Sequence, residues 1–178
     1  MSRIRIIGGD WRSRLIDVRT VKGLRPTPDR VRETLFNWLG QDMDGLRCLD
    51  LFAGSGALGF EAASRGAASD TMIEQDPVAL AALQTNAKTL QATCVQVVRG
   101  DALNFARSTT QPFDVVFVDP PYRAGWIDRI APLLPKLLSD EGLVYVEAEY
   151  KIDNIDRLTR IKHGAAGQVY YHLFARAD

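Results

Sequence analysis

Apolar positions along the chain change their spacing twice, and each change marks a different kind of element. Residues 3–7 (RIRII) and 13–18 (SRLIDV) cluster or alternate apolar side chains around Gly8-Gly9-Asp10, the pattern of two paired strands. Val31, Leu35, Trp38 and Leu39 then recur at helical spacing. Thr27 suits the N-cap, Pro28 the first helical position and Gly40 the stop, which predicts a helix over 28–39.

From residue 46 short apolar runs alternate with helix-like stretches. Strands are expected at 48–52, 71–75, 95–98, 113–119 and 143–149, and helices near 57–66, 77–90, 101–107 and 126–138. Such alternation predicts an α/β fold with a mostly parallel sheet and helices on both faces. The near-continuous apolar strands agree, because they read as buried on both sides. After residue 150 the period changes, and 157–162 and 168–176 read as two strands joined by a turn containing Gly164 and Gly167. There is no internal repeat or low-complexity tract. The expected division is a basic N-terminal hairpin extension, 1–24, followed by one α/β domain, 25–178.

Composition adds little to this picture and charge adds more. Apolar residues make up 46% of the 178, enough to bury a sizeable core. No apolar run reaches a membrane-spanning length, and the start MSRIRIIGGDWRSR lacks the apolar core of a secretory signal. Cys48 and Cys94 have no metal-like spacing and read as inert core thiols. A reduced, cytoplasmic setting follows as the default. Net charge is zero over the whole chain, yet residues 1–35 carry nine Lys or Arg against four acids. Arg3, Arg5, Arg12 and Arg14 sit in the hairpin segment. A segregated basic end suggests an anionic polymer partner; a solvated arginine-rich hairpin is the alternative.

Two motifs carry candidate chemistry. The first is the loop from Asp50 through Phe52, Ala53, Gly54, Ser55 and Gly56 to Gly59, a G-x-G-x-x-G between a strand and a helix. Glu74 follows at the end of the second strand, with Gln75 beside it. That arrangement lays a ligand across a helix N-terminus and offers an acid to its ribose hydroxyls. A dinucleotide or S-adenosylmethionine would fit. Asp50, inside the strand, suits a cationic methionyl amine or sulfonium better than a phosphate. Asp101, with Ala102, is placed to frame an adenine, although Asp101 could equally cap the helix it precedes.

The second motif is Asp119-Pro120-Pro121-Tyr122 at the end of the fourth strand. Proline cannot donate to a sheet ladder, so the strand ends and a stiff loop begins. An exocyclic amine on a base is a poor nucleophile because its lone pair is delocalised into the ring. The Asp119 carboxylate and the Pro120 carbonyl can accept from its two hydrogens, and the prolines hold both in place. Pro121 shapes the loop, and Tyr122 offers a ring on which an unstacked base can lie.

With DLFAGSGALGFEAASRGA, MIEQD, GDA at 100–102 and DPPY, the chain resembles class I S-adenosylmethionine-dependent amino-methyltransferases. RPTPDRVRETLFNWL is more specific and resembles the small-subunit (16S) ribosomal RNA guanine-N2 methyltransferase family, RsmD. The resemblance covers nearly the whole chain. It implies a Rossmann-like seven-stranded sheet with a final antiparallel strand, S-adenosylmethionine as cofactor, and 16S rRNA or the assembled small subunit as partner; a monomer in the cytoplasmic setting already given is expected. It implies that the Arg25–Arg32 stretch, with Arg25 and Thr27 the first candidates, closes over the methionine end of the cofactor. Asp119, Pro120 and Tyr122 would handle a guanine N2 amine, with Asp119 also reaching the cofactor. Arg123, with the hairpin arginines and Tyr122, would touch RNA. Arg30 and Arg32 could instead be solvated helix charges, and His163 and His172 ordinary sheet residues. The nearest alternative is methylation of adenine N6 in DNA or RNA. A nucleotide-dependent oxidoreductase would share the glycine loop but lacks hydride-site residues, and a non-enzymatic ribosome-assembly binder would have no use for an intact DPPY.

Overall fold

Seven strands line up because their apolar residues have to be covered on both faces. The computed structural model describes residues 2–19, 21, 26–122 and 124–177, and Arg25 and Arg123 lie outside them. Chain order begins with a two-stranded hairpin, β1 (Ser2–Arg5) and β2 (Leu15–Val18), followed by α1 (Asp29–Leu39). The alternating section comprises β3 (Arg47–Asp50), α2 (Ala57–Ser64), β4 (Ser69–Glu74), α3 (Pro77–Thr89), β5 (Val95–Arg99), α4 (Ala102–Ser108) and β6 (Phe113–Val118). After it come α5 (Trp126–Ile130), a 3-10 turn (Ala131–Leu133), α6 (Leu134–Leu137), β7 (Leu138–Ala148), β8 (Leu158–Ala166) and β9 (Val169–Arg176).

The large sheet has the order β5-β4-β3-β6-β7-β9-β8. β9 runs antiparallel to both β7 and β8, and the other pairings are parallel. The expected mostly parallel sheet with a late antiparallel strand is what forms. The chain moves outward from β3 in one direction through β4 and β5, then returns to β6 on the other side. The crevice between the carboxyl ends of β3 and β6 is therefore the topological switch point, where open α/β sheets bind ligands.

Two apolar layers cover the sheet. One face carries Leu103 and Ala106 of α4 with Ile130, Leu134 and Leu137 of the following segment. The other carries Val31, Leu35 and Phe36 of α1 and Leu58 and Ala62 of α2. The N-terminal hairpin docks beside them: Ile4, Ile6, Ile16 and Val18 are buried against Phe60, Met72, Leu83 and Leu90. Its free edge is satisfied by Asn86, whose side chain accepts from Asp17 N at 3.2 Å and donates to Asp17 O at 2.8 Å, as a neighbouring strand would.

Four local expectations need correction. Helix α1 begins at Asp29 with Pro28 in the cap position and no side-chain cap. Thr27 is not the cap, because its hydroxyl is turned to Asp119 and Glu147. The single helix expected over 126–138 is instead broken into α5, a 3-10 turn and α6, because Pro132 and Pro135 each remove a backbone donor. β7 starts at Leu138, before the expected 143, with a register irregularity between Phe113 and Val115 where it meets β6. Gly164 lies inside β8 and not in the turn, which is made at Gly167, φ 62°. A Cβ on Gly164 would stand 2.7 Å from the Tyr171 ring, its cross-strand partner.

The remaining side-chain expectations divide. Arg32 is no solvated charge: it is 1% exposed, and its Nη1 donates to Glu61 Oε1 at 3.3 Å. Cys48 is buried in β3, where burial pushes its thiol up, so the inert reading fits. Cys94 is only part-buried and precedes β5. His172 is a buried sheet residue, with Nε2 accepting from Ile152 N at 2.9 Å and Nδ1 lying 3.0 Å from Val146 O. Burial lowers its pKa, in keeping with a neutral ring.

Asp70, in β4, is fully buried with neither carboxylate oxygen hydrogen-bonded. Burial first, then the charge of Asp50, raises its pKa well above 3.8. A group that holds its proton more tightly when folded makes stability fall as pH rises from the ordinary aspartate range toward the raised value. Asp70→Asn removes this titration and keeps the shape. Its stability should exceed that of the wild type by ~1–3 kcal/mol at pH 8, and the difference should shrink as pH falls toward 4. Denaturant melts of the two proteins across that pH range, showing equal slopes, would contradict the assignment.

Candidate active site

Parallel strands deliver their final side chains to one edge, and here that edge opens into a cavity of about 580 Å³. Asp50 to Ser55 come from the end of β3, Ile73 to Gln75 from β4, and Gly100 to Ala102 from β5. Asp119 to Tyr122 follow β6, Glu147 comes from β7, and Thr27 and Trp126 close the sides.

The glycine loop takes its shape from backbone conformation. Gly54 and Gly56 have φ of 54° and 82°, which a Cβ disfavours. A Cβ on Gly56 would also stand 2.6 Å from Phe60 and Leu83. Gly59 packs α2 against β4, where a side chain would strike Asp70. Only Gly54 of the three lines the cavity, so Gly56, expected beneath the cofactor, serves the turn and the packing of α2.

Glu74 is the brace of this loop. Its Oε1 accepts from Gly54 N at 2.9 Å, and its Oε2 accepts from Gln75 N and Asp76 N, both at 2.9 Å. Oε2 is saturated by its two donors, and Oε1 retains a lone pair for a ligand hydroxyl. Asp101 is the cap of α4, with Oδ2 accepting from Asn104 N at 3.0 Å. It also lines the cavity with Ala102, so both of its expected roles are available to one side chain.

Asp50 is 1% exposed and its Oδ1 has no hydrogen-bond partner. Burial, then the charge of Glu74, pushes its pKa up to about 7. A buried carboxyl with one oxygen unpartnered on a cavity wall fits a cationic ligand group. With Glu74 and the loop, the residues present are suited to S-adenosylmethionine.

The DPPY turn stands opposite. Pro120 is buried, and Asp119 and Tyr122 are half-buried on the cavity wall. Thr27, expected at the cofactor carboxylate, lines the cavity, donates to Asp119 Oδ2 at 3.2 Å and lies 3.5 Å from Glu147 Oε2. Asp119 and Glu147 therefore meet across one hydroxyl. Burial, followed by the charge of Glu147 and the charge of Asp50, raises the Asp119 pKa well above 3.8.

Trp126 and Glu147 are among the lining residues that the sequence did not assign to the cavity. Trp126 packs edge-on to Phe52 with centroids 5.2 Å apart, and the Arg129 guanidinium lies 4.4 Å from its ring centre. Glu147 sits inside the run LVYVEAE, where an acid among apolar strand residues was the available signal. The hairpin arginines lie away from the cavity. Arg3 pairs with Asp17 at 3.1 Å, Arg5 donates to Ser13 O at 3.0 Å, and Arg14 donates to Thr89 O at 3.2 Å.

Known proteins share this arrangement. The family model described as conserved hypothetical protein 95 matches residues 4–175. Ribosomal RNA small subunit methyltransferase D of Escherichia coli strain K12 is 46% identical over 179 residues, covering 98% of this chain and 90% of the relative. The protein of the same name from Haemophilus influenzae is 42% identical over 179 residues, covering 96% of this chain and 93% of the relative. The solved Escherichia coli protein yhhF is 46% identical with a TM-score of 0.89, covering 98% of each chain. A family model matching residues 4–175, with relatives 46% identical over nearly the whole chain, means that this chain belongs to the conserved hypothetical protein 95 family, as an RsmD-like class I methyltransferase.

Proposed function

We propose that the chain methylates the N2 amine of a guanine in 16S rRNA, with S-adenosylmethionine as donor. The observation that carries this reading is the meeting of Asp119, Pro120 and Tyr122 with the glycine loop, Glu74 and Asp50 around one cavity. S-adenosylmethionine, when bound, supplies a methyl group on a sulfonium, an electrophile that needs no further activation. Glu74 would accept from a ribose hydroxyl, Asp101 and Ala102 would frame the adenine, and Asp50 would face the cationic end. The Asp119 carboxyl and the Pro120 carbonyl accept from the amine hydrogens and localise the nitrogen lone pair. Tyr122 stacks on the extruded base, worth ~1–3 kcal/mol in base-stacking systems. Near full-length similarity to proteins named for small-subunit rRNA methylation supports the substrate class.

The test is incubation of small subunits and of naked 16S rRNA, from cells lacking this protein, with isotopically labelled donor. Nucleoside mass spectrometry should find labelled N2-methylguanosine. Labelled N6-methyladenosine in its place would favour the adenine reading, and no label in either RNA would defeat both.

The hairpin is the proposed RNA surface, and the enzyme is proposed to work as a cytoplasmic monomer. Arg12 and Arg14 are exposed near the Gly8-Gly9 turn. Phosphate contacts add affinity with little sequence information and release counterions. Replacing both with Ala should weaken substrate association, flatten its salt dependence by about two counterions and spare cofactor binding. A wild-type salt slope in filter-binding titrations would make the hairpin a solvated face only.

A further inference from the structure

The reaction leaves a proton to dispose of, and the structure places a second acid where the first would need it. We propose that Glu147 forms with Asp119 a carboxyl pair that takes up the proton shed by the methylated amine. The proposal rests on the amino-methyltransferase reading above. As the nitrogen–carbon bond forms, the sulfur–carbon bond breaks and its electron pair stays on sulfur. One nitrogen–hydrogen bond then breaks, and its proton passes to Asp119, where Glu147 shares it.

The geometry comes from strand register. β6 and β7 pair in parallel through Val118 and Val146, so the next residues, Asp119 and Glu147, emerge side by side at the carboxyl edge. Glu147 is 4% exposed, with Oε1 accepting from the Tyr145 hydroxyl at 3.0 Å. Thr27 spans both acids, at 3.2 Å from Asp119 Oδ2 and 3.5 Å from Glu147 Oε2. One hydroxyl within reach of both acids holds the two carboxyls close, and the Glu147 charge raises the Asp119 pKa after burial does.

A lone solvated aspartate is a weak base, matched to a pH far below neutral. A second carboxylate held beside the first makes the pair hold one proton far more tightly. That brings the acceptor toward the pH at which a general base works well. Among the described residues, the ionisable groups facing the pair are Asp50 from β3 and Tyr145 from β7, with Tyr171 of β9 behind Tyr145. Asp50 acts on Asp119 in the same direction as Glu147, and the Thr27 hydroxyl opposes them. Glu147 acts through Asp119 and is a positioning residue.

Glu147→Gln keeps the size and the acceptor for Tyr145 but removes the charge, and Glu147→Asp keeps the charge at a shorter reach. The wild-type single-turnover rate should rise with pH through an inflection above the ordinary carboxylate range. In Glu147→Gln that inflection should move down toward the ordinary range and the plateau should fall by ~10²-fold, with Glu147→Asp in between. Carbon-13 labelling of the aspartate carboxyls, with Asp119→Asn to assign the resonance, reads the same titration without any turnover. The Asp119 resonance should titrate at a raised pH in the wild type and at a lower one in Glu147→Gln. An Asp119 titration that does not move in Glu147→Gln overturns the pair, as does a fall in plateau with an unmoved inflection. A wild type that methylates no RNA, with the Asp119 titration still shifted by Glu147→Gln, overturns the reaction reading instead.

Discussion

Asp119→Ala should lower the single-turnover rate of methyl transfer by ~10²–10⁴-fold while cofactor affinity stays near that of the wild type. The lost carboxyl touches the amine only as it reacts, so the defect belongs to the chemical step. The cofactor cradle is built elsewhere, from Glu74 against Gly54 and from Asp101 at the start of α4. Asp119→Asn keeps one acceptor oxygen and cannot take a proton. If localising the lone pair were the whole role, Asn would recover most of the rate; with proton uptake included, it should remain close to Ala. Unfolding cannot explain either loss. The raised pKa of Asp119 means that folding opposes its ionisation, so its contribution to stability falls as pH rises through the raised value. Both variants should therefore melt no lower than the wild type at neutral pH. A rate within a few-fold of wild type for Asp119→Ala would remove the residue from the chemistry.

The parts of this site that were legible in the sequence are those whose residue types are forced by local backbone. Two prolines end β6 in one way only, and Gly54 and Gly56 occupy positions of positive φ where other residues are strained. Alternating apolar runs gave the parallel sheet for the same reason: burial on both faces leaves few other patterns. What was not legible depends on strands brought together from afar. Glu147 meets Asp119 only because β7 lies beside β6, a pairing 28 positions apart in the register. Thr27 has the right chemistry for a helix cap and was read as one, but a pair of carboxyls 92 and 120 residues away outcompetes the helix for its hydroxyl. Arg32 looked like a helix-face charge because its partner, Glu61, belongs to a helix on which periodicity gives no sign of a buried ion pair.

Glu61→Ala should be the most destabilising single change on the hairpin side of the molecule. Glu61 is fully buried, and both oxygens are doubly engaged. Oε1 accepts from Ile7 N at 2.9 Å and Arg32 Nη1 at 3.3 Å, and Oε2 accepts from Gly8 N at 3.0 Å and Arg65 Nε at 3.1 Å. Removing the acid leaves a guanidinium that is 1% exposed with the exposed Asp29 as its remaining counter-charge, and strands two backbone donors. Breaking one side of such a buried pair costs ~3–5 kcal/mol, a large share of the ~5–15 kcal/mol that holds a typical domain folded. For a chain of this size the melting temperature should fall by roughly 6–20 °C. Arg3→Ala provides the control. Its pair with Asp17 is exposed on both sides, so its loss should cost at most ~1 kcal/mol. The damage should also reach the active site. Arg32 Nε donates to Thr27 O at 3.3 Å and Arg32 Nη2 also holds Asp29, so the freed arginine loosens the turn that carries the Thr27 hydroxyl to Asp119. Hydrogen exchange should therefore accelerate at the Ile7 and Gly8 amides and in the first turn of α1 at temperatures where the sheet is still folded. A melting temperature within two or three degrees of wild type, with those amides still protected, would show that Glu61 is only a passenger in the core.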